Sequence, residues 1–451
     1  MSRWPRVAAA MMLAILSTLM SFSGALPAVA GPAAVAADST CQLGTPDGTV
    51  KHVIEIVFDN LDFARANPNV PSDLEQMPNL EKFITSNGVL LSNEHTVLLG
   101  HAANNIVTTL AGVYPDRQGI PVANGYRYYN AVGTSSGASA FSYWTSPAGA
   151  GDATPNMLAA NGQNAPAPWV PFTRAGCNVG AVGVANLAIE NLTTDISTIF
   201  GPHSAQAQEV KDNPNKAQAD FEAIAVHCAK SAALCSTANG GVADKLPDEP
   251  GGYEGYQALF GNVSIAPQVS PSGPVRDLYG NIIQSPTGDY GSPGFNGFSP
   301  AISLGYVADM QEHGVPVTYA YISTPKDSGG VDLGPGSAGY EAQLRSYNAA
   351  FGTFFERLAH DGITPANTLF VFSSDEGGHF SGSAPTPANC DGVTTPCNYS
   401  QTGQIDVNLT EQSDGQPAPL PFSIQAGMAP AFYIDGNPSS DSTEARAWEQ
   451  A

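Results

Sequence analysis

Cationic side chains are scarce in this chain. Its 451 residues carry 17 Lys and Arg against 40 Asp and Glu, which gives a formal net charge of −23 at pH 7. A field of that sign repels nucleic acid and anionic lipid headgroups, so we expect neither as a partner. An anionic substrate would also be repelled unless bound cations reversed the charge locally.

The chain also lacks a long apolar run beyond its N-terminal region, so no later segment is expected to span a bilayer. Arg3 and Arg6 precede an almost wholly apolar stretch over residues 7–20, and Ala28-Val29-Ala30 supplies a small-residue cleavage pattern. Residues 1–30 are therefore predicted to be a signal peptide, with an uncleaved anchor as the alternative. We expect the mature protein to be secreted or otherwise extracytoplasmic, with no stable membrane insertion.

The cysteines lack the C-x-x-C spacing of a thiolate zinc site. All six follow the predicted signal peptide, and an even number in an exported chain indicates three disulfides. Six cysteines allow fifteen pairings. Proximity along the chain favours three pairs: Cys228 with Cys235, Cys390 with Cys397, and the remaining Cys41 with Cys177.

The chain has no P-loop, no G-x-S-x-G elbow and no H-E-x-x-H pair. It does alternate apolar, β-rich runs with stretches of helical periodicity. Strands are predicted at 51–58, 89–91, 317–322, 368–372 and 431–434, together with a strand and turn over 179–189. Helices are predicted at about 77–86, 102–111, 216–233, 301–312, 340–358 and 442–449. This alternation predicts an α/β fold with a parallel or mixed sheet and helices on both of its faces.

Two stretches break the alternation. Residues 131–175 and 236–300 are rich in Gly, Pro, Ser and Ala and show little periodicity, so we interpret them as long loop insertions. Periodic segments resume after each of them. Residues 38–451 are therefore expected to form a single domain that carries these insertions.

Acidic and amide side chains follow two of the predicted strands. Asp59 and Asn60 follow the first, and Asp375, Glu376 and His379 follow the strand at 368–372. Sites in open α/β sheets form at the carboxyl ends of strands, and these side chains offer the oxygen and nitrogen ligands of zinc, calcium or manganese. The alternative is that each acid merely caps the next helix.

The chain resembles the alkaline phosphatase superfamily of nucleotide pyrophosphatases, sulfatases and related phosphoesterases. The resemblance covers roughly residues 50–130 and 300–380. It is carried by an ordered set of motifs: Ile56-Val57-Phe58-Asp59, Met77-Pro78-Asn79-Leu80, Gly112-Val113-Tyr114-Pro115 and Ser374-Asp375-Glu376. Asn60 beside Asp59, and Glu376 after Asp375, are more similar to the bacterial phospholipase C and acid phosphatase branch.

The resemblance implies a three-layer α/β/α sheet with loop insertions. It also implies metal-dependent hydrolysis of phosphate mono- or diesters or of sulfate esters, with a small-molecule ester as the partner. Asp59, Asn60, Asp375 and Glu376 would then be ligands of a divalent metal ion, and His379 would be a ligand, a general acid or a plain loop histidine. The alternative is a catalytically degenerate secreted binding protein of the same fold.

The chain departs from the family's pattern at the position of the nucleophile and at the ligands of a second metal ion. Ala102 stands where relatives place a nucleophile, so Thr96 is the nearest candidate upstream, to be activated by the metal. Lys326 and Gly330 stand where an Asp and a His would hold a second ion. We therefore expect one metal ion and slow turnover. We also expect that the chain lacks a C-terminal portion of the family fold.

Overall fold

The protein is described by a computed structural model. It covers residues 41, 43, 48–65, 67–91, 102–114, 127–129, 135–137, 176–183, 192–229, 232–239, 241–242, 257–323, 333–375, 380–400, 402–404, 406–408 and 425–427. The predicted signal peptide, and the elements predicted at 431–434 and 442–449, lie outside these residues. The chain from Ala36 onward forms one compact unit.

A mixed six-stranded sheet organises the described residues. Its strands are β1 (His52–Phe58), β4 (Val179–Val182), β5 (Ile224–Cys228), β6 (Gln257–Phe260), β7 (Val317–Ile322) and β8 (Thr368–Ser374), in the order β6-β5-β4-β7-β1-β8. Neighbours among β4, β7, β1 and β8 pair in parallel, and β5 is antiparallel to both β4 and β6. The predicted α/β class is therefore confirmed.

Eight α-helices accompany the sheet in the described part of the chain. They are α1 (Pro78–Asn87), α2 (Ala102–Ala111), α3 (Leu192–Phe200), α4 (Ala205–Asp212), α5 (Pro214–Phe221), α6 (Gly261–Val269), α7 (Pro300–Glu312) and α8 (Ala338–His360). Three short antiparallel pairs stand outside the main sheet: β2 (Arg127–Tyr129) with β3 (Ser135–Gly137), β9 (Phe380–Ser381) with β10 (Gly403–Gln404), and β11 (Asp406–Asn408) with β12 (Gln425–Gly427).

Part of the core lies where α8 packs on β1 and β8 of the sheet. Ile54, Ile56 and Phe58 alternate on β1 and are fully buried, as expected for a strand that is covered on the face they occupy. The Phe58 ring lies 5.7 Å from that of Phe351 on α8. The apolar stripe predicted on α8 is confirmed, because Tyr340, Leu344, Tyr347, Phe351, Phe354 and Leu358 are all buried.

An ion-pair network joins α7 to α8. Arg357 on α8 contacts Asp309 at 2.5 Å and Glu312 at 2.6 Å, both on α7. Burial raises the pKa of each carboxyl group, and the guanidinium opposes that shift. Because α7 packs in turn on β7 and β4, this network ties the long helix α8 to the sheet through α7.

The helix predicted over 216–233 is confirmed only for its first part. Helix α5 ends at Phe221, and the following residues form β5, whose five residues are all buried. The apolar run Ile224-Ala-Val-His-Cys is too short to be assigned by periodicity alone. Pairing with β4 and β6 decides it in favour of a strand.

The expectation of loops over 236–300 is wrong for 257–269. This stretch forms β6, an edge strand of the main sheet, followed directly by α6. Gly261 connects β6 to α6, and its φ is +73°. Its Cα lies so close to α5 that a Cβ would stand 0.9 Å from the Asp220 carbonyl oxygen. Gly261, which stands between the apolar residues Ala258-Leu259-Phe260 and a helical pattern, was the signal that sequence reasoning missed.

The strand predicted at Val89–Leu91 is also absent. These residues are irregular, and Val89 and Leu91 are 81% and 72% exposed. Apolar composition alone predicted the strand, whereas a strand needs a partner to satisfy its backbone groups.

All three predicted disulfides are present: Cys41 with Cys177, Cys228 with Cys235, and Cys390 with Cys397. Disulfides of this kind are typical of proteins from oxidising compartments. None of the helices in the described ranges is both long enough and apolar enough to cross a membrane.

Candidate metal centre

Asp59 and Asp375 lie side by side at the carboxyl edge of the sheet. The last residue of β1, Phe58, is in register with Ser374, the last residue of β8. The Asp375 amide donates to the Phe58 carbonyl at 2.9 Å, and the Asp59 amide donates to the Ile322 carbonyl of β7 at 2.9 Å. Three parallel strands therefore fix the backbone of both acids.

Asn60 links the two carboxylates. Its side-chain Nδ2 donates to Asp59 Oδ1 at 2.6 Å, and its backbone amide donates to Asp375 Oδ1 at 3.3 Å. Asn60 reaches both because its backbone is left-handed, with φ +56°. Asparagine tolerates that conformation better than most residues with a side chain.

The three side chains are withdrawn from water. Asp59 and Asn60 are 5% and 6% exposed, and Asp375 is fully buried. Asn60 Oδ1 is also buried and accepts no hydrogen bond among the described residues. Leaving an amide oxygen buried without a donor costs about 1–3 kcal/mol. A bound cation would remove that cost, and carboxylate and amide oxygens are ligands that calcium and manganese accept.

Tyr321 is the member of this group that sequence reasoning missed. It lies near the end of β7, is 2% exposed, and donates its hydroxyl to Asp59 Oδ2 at 2.7 Å. In the sequence, Tyr319 and Tyr321 alternate in an apolar run, a pattern that is typical of a packed core strand. No local signal distinguishes the tyrosine that reaches an acid.

Ser374 fixes the turn that follows β1. Its hydroxyl donates to the Phe58 carbonyl at 3.1 Å and accepts the Leu61 amide at 3.1 Å. The backbone around Asp59 and Asn60 is therefore held from β8 as well as from β7. In the sequence, Ser374 stands out only as the first residue of the motif Ser374-Asp375-Glu376.

Further negative charge lies near the group. Asp73 accepts the Tyr340 hydroxyl at 2.6 Å and the Asp62 amide at 2.8 Å. Burial and the charges of Asp59 and Asp73 together raise the pKa of Tyr347, whose hydroxyl donates to the Ser323 carbonyl. This accumulation of negative potential favours a cation at the carboxyl edge.

The remaining predicted site residues lie outside the described part of the chain. They are Thr96, Glu376 and His379, together with Lys326 and Gly330 of the second-ion segment. Among the described residues, no three His, Cys, Asp or Glu side chains form a group that could hold a metal ion. The possible metal ligands among the described residues are thus the carboxylates of Asp59 and Asp375 and the side-chain amide oxygen of Asn60.

No protein-family model matches the chain, and no curated protein matches its sequence. A function for this chain therefore has to be argued from its own residues.

Proposed function

We propose that this chain is an extracytoplasmic, metal-dependent hydrolase of phosphate mono- or diesters or of sulfate esters. The observation that carries the proposal is the buried group of Asp59, Asn60 and Asp375 at the ends of two adjacent parallel strands. Their oxygens would hold the ion, with Glu376 and His379 as further ligands from the residues that directly follow Asp375.

The electrostatics of the group support a cation. Two buried carboxylates that are both hydrogen-bonded to Asn60, one by its side-chain amide and one by its backbone amide, disfavour each other's charge unless a positive charge stands between or beside them. The side-chain amide oxygen of Asn60 adds an uncharged metal ligand at the same place. The three residues therefore fit a divalent ion, and zinc, calcium and manganese are its candidates.

We further propose a three-layer α/β/α arrangement of the alkaline phosphatase type. The parallel strands β4, β7, β1 and β8 support it, as do helices α7 and α8 and the position of Asp59 and Asp375 after neighbouring strands. The sequence motifs that flank both acids support the same assignment.

A divalent ion at this place would polarise the ester oxygen and lower the pKa of a nearby hydroxyl group or water. The chain's own part is to orient the ligands and to exclude water. Asn60 fixes the spacing of the two carboxylates, and Ser374 and the backbone of β7 fix the turn that presents them. Thr96 stays the predicted nucleophile.

Metal content is the first test. We expect the purified wild-type protein to bind one divalent ion per chain and to hydrolyse at least one of the p-nitrophenyl phosphate, bis-p-nitrophenyl phosphate and p-nitrophenyl sulfate esters. Asp59→Asn and Asp375→Asn should each weaken metal binding by at least tenfold, because each removes a charged ligand. Asp212→Asn, at an exposed helix end, is the matched control and should bind like wild type.

The outcomes separate the two candidate functions. A wild-type protein that purifies without metal, and takes up none of the three ions when they are added, contradicts the proposal and favours a degenerate binding protein. Unchanged metal stoichiometry in both Asp59→Asn and Asp375→Asn removes these residues from the site.

A further inference from the structure

The Asp59 carboxylate is held at both of its oxygens. Asn60 Nδ2 donates to Oδ1 at 2.6 Å, and the Tyr321 hydroxyl donates to Oδ2 at 2.7 Å. Each carboxylate oxygen offers about two lone-pair positions. These two donors therefore set the orientation of the group.

Tyr321 is itself fixed by its neighbours. The Ser303 hydroxyl of α7 donates to the Tyr321 carbonyl at 2.6 Å. The chain also leaves β4 at Gly183, where φ is +73° and a Cβ would stand 2.9 Å from the Tyr321 Cβ. A glycine at that position leaves room for the tyrosine side chain. These contacts hold Tyr321 in the position from which its hydroxyl donates to Asp59.

The buried tyrosines of the sheet and helices differ in what their hydroxyls meet. The Tyr306 hydroxyl donates to the Gly291 carbonyl, and that of Tyr347 to the Ser323 carbonyl. Tyr321 and Tyr340 instead donate to carboxylates, Asp59 and Asp73. Of these two acids, only Asp59 belongs to the group linked by Asn60.

We propose that Tyr321 is a positioning residue that holds Asp59 in the orientation in which it binds the metal ion. The inference rests on the proposed function and deepens it. Outer partners of metal ligands fix ligand orientation, and their loss weakens metal binding by about 10- to 100-fold. A tyrosine that served only the packing of the core would affect folding and leave the affinity for the ion unchanged.

The test compares two Tyr→Phe variants of the full mature chain. Tyr321→Phe removes the hydroxyl that meets Asp59. Tyr340→Phe is the matched control, because it removes a buried tyrosine–carboxylate hydrogen bond of nearly equal length, 2.6 Å, from an acid outside the group. Wild type and both variants are titrated with Zn²⁺, Mn²⁺ and Ca²⁺ in turn by calorimetry, and the melting temperature of each metal-free protein is measured.

We expect Tyr321→Phe to raise the dissociation constant by about 10- to 100-fold, while Tyr340→Phe stays close to wild type and both variants melt at similar temperatures. Equal affinity in Tyr321→Phe and wild type overturns the inference but leaves the proposed function standing. A similar loss of affinity in Tyr340→Phe, or a far lower melting temperature in Tyr321→Phe alone, assigns Tyr321 a structural role and also overturns it. A wild type that binds none of the three ions overturns both.

Discussion

Glu55 lies in the middle of the inner strand β1, between β7 and β8, without an ion-pair partner among the described residues. Its neighbours in register are Val371 on β8 and Tyr319 on β7. Burial raises the pKa of Glu55 to about 7, and burial and the charge of Glu55 together raise the pKa of Tyr319. The charged carboxylate is thus unfavourable in the folded state.

The sign of the effect on stability follows from the direction of this shift. The unfolded chain releases the Glu55 proton near pH 4.5, whereas the folded protein keeps it until about pH 7. Stability from this group is therefore full below pH 4.5 and is lost as the pH rises towards 7. The difference between these two pKa values corresponds to about 3–4 kcal/mol at most, and partial exposure of Glu55 reduces the expected effect to roughly 1–3 kcal/mol.

Glu55→Gln tests this directly because it places a neutral side chain of the same size in the strand. We expect it to raise the free energy of unfolding by roughly 1–3 kcal/mol at pH 8 and by clearly less at pH 5. Urea unfolding followed by circular dichroism at both pH values measures the difference. Glu356→Gln, at an exposed position on α8, controls for the loss of one negative charge. A variant that is less stable than wild type at pH 8 would refute the reasoning.

Three further predictions concern the nucleophile, a strand–helix join and the disulfides. Thr96→Val should abolish ester hydrolysis in the chromogenic assay while metal binding stays at the wild-type level; persisting activity would remove Thr96 from the mechanism. Gly261→Ala should lower the free energy of unfolding by about 3 kcal/mol or more, measured by urea unfolding, because its Cβ would overlap the Asp220 carbonyl. Gly280→Ala, also at positive φ but with no atom within 4 Å of the new Cβ, should cost only about 1 kcal/mol, and equal losses would argue against steric overlap as the cause. The secreted protein should have an intact mass about six hydrogens below that of its reduced form, whereas labelling of Cys228 and Cys235 without reductant would show that their disulfide does not form.

Local pattern in the sequence was sufficient for much of the fold. Apolar periodicity of 3.6 predicted α8, and runs rich in β-branched and aromatic residues predicted β1, β7 and β8, because each of these segments has a strong preference of its own. Cysteine spacing likewise predicted the three disulfides. The positions of Asp59 and Asp375 at strand ends were predicted from the same strands.

Tertiary pairing decided what the sequence left ambiguous. The segment Ile224–Cys228 is a strand because β4 and β6 flank it, and 257–269 builds a sheet edge and a helix because Gly261 permits an approach to α5 that no local preference encodes. Val89–Leu91 has the composition of a strand but no partner in the described sheet. The hydrogen bond from Tyr321 to Asp59 joins residues 262 positions apart. It arises only when β7 and β1 pair in register, because contacts between distant residues depend on the folded arrangement of the strands and not on the neighbours of either residue along the chain.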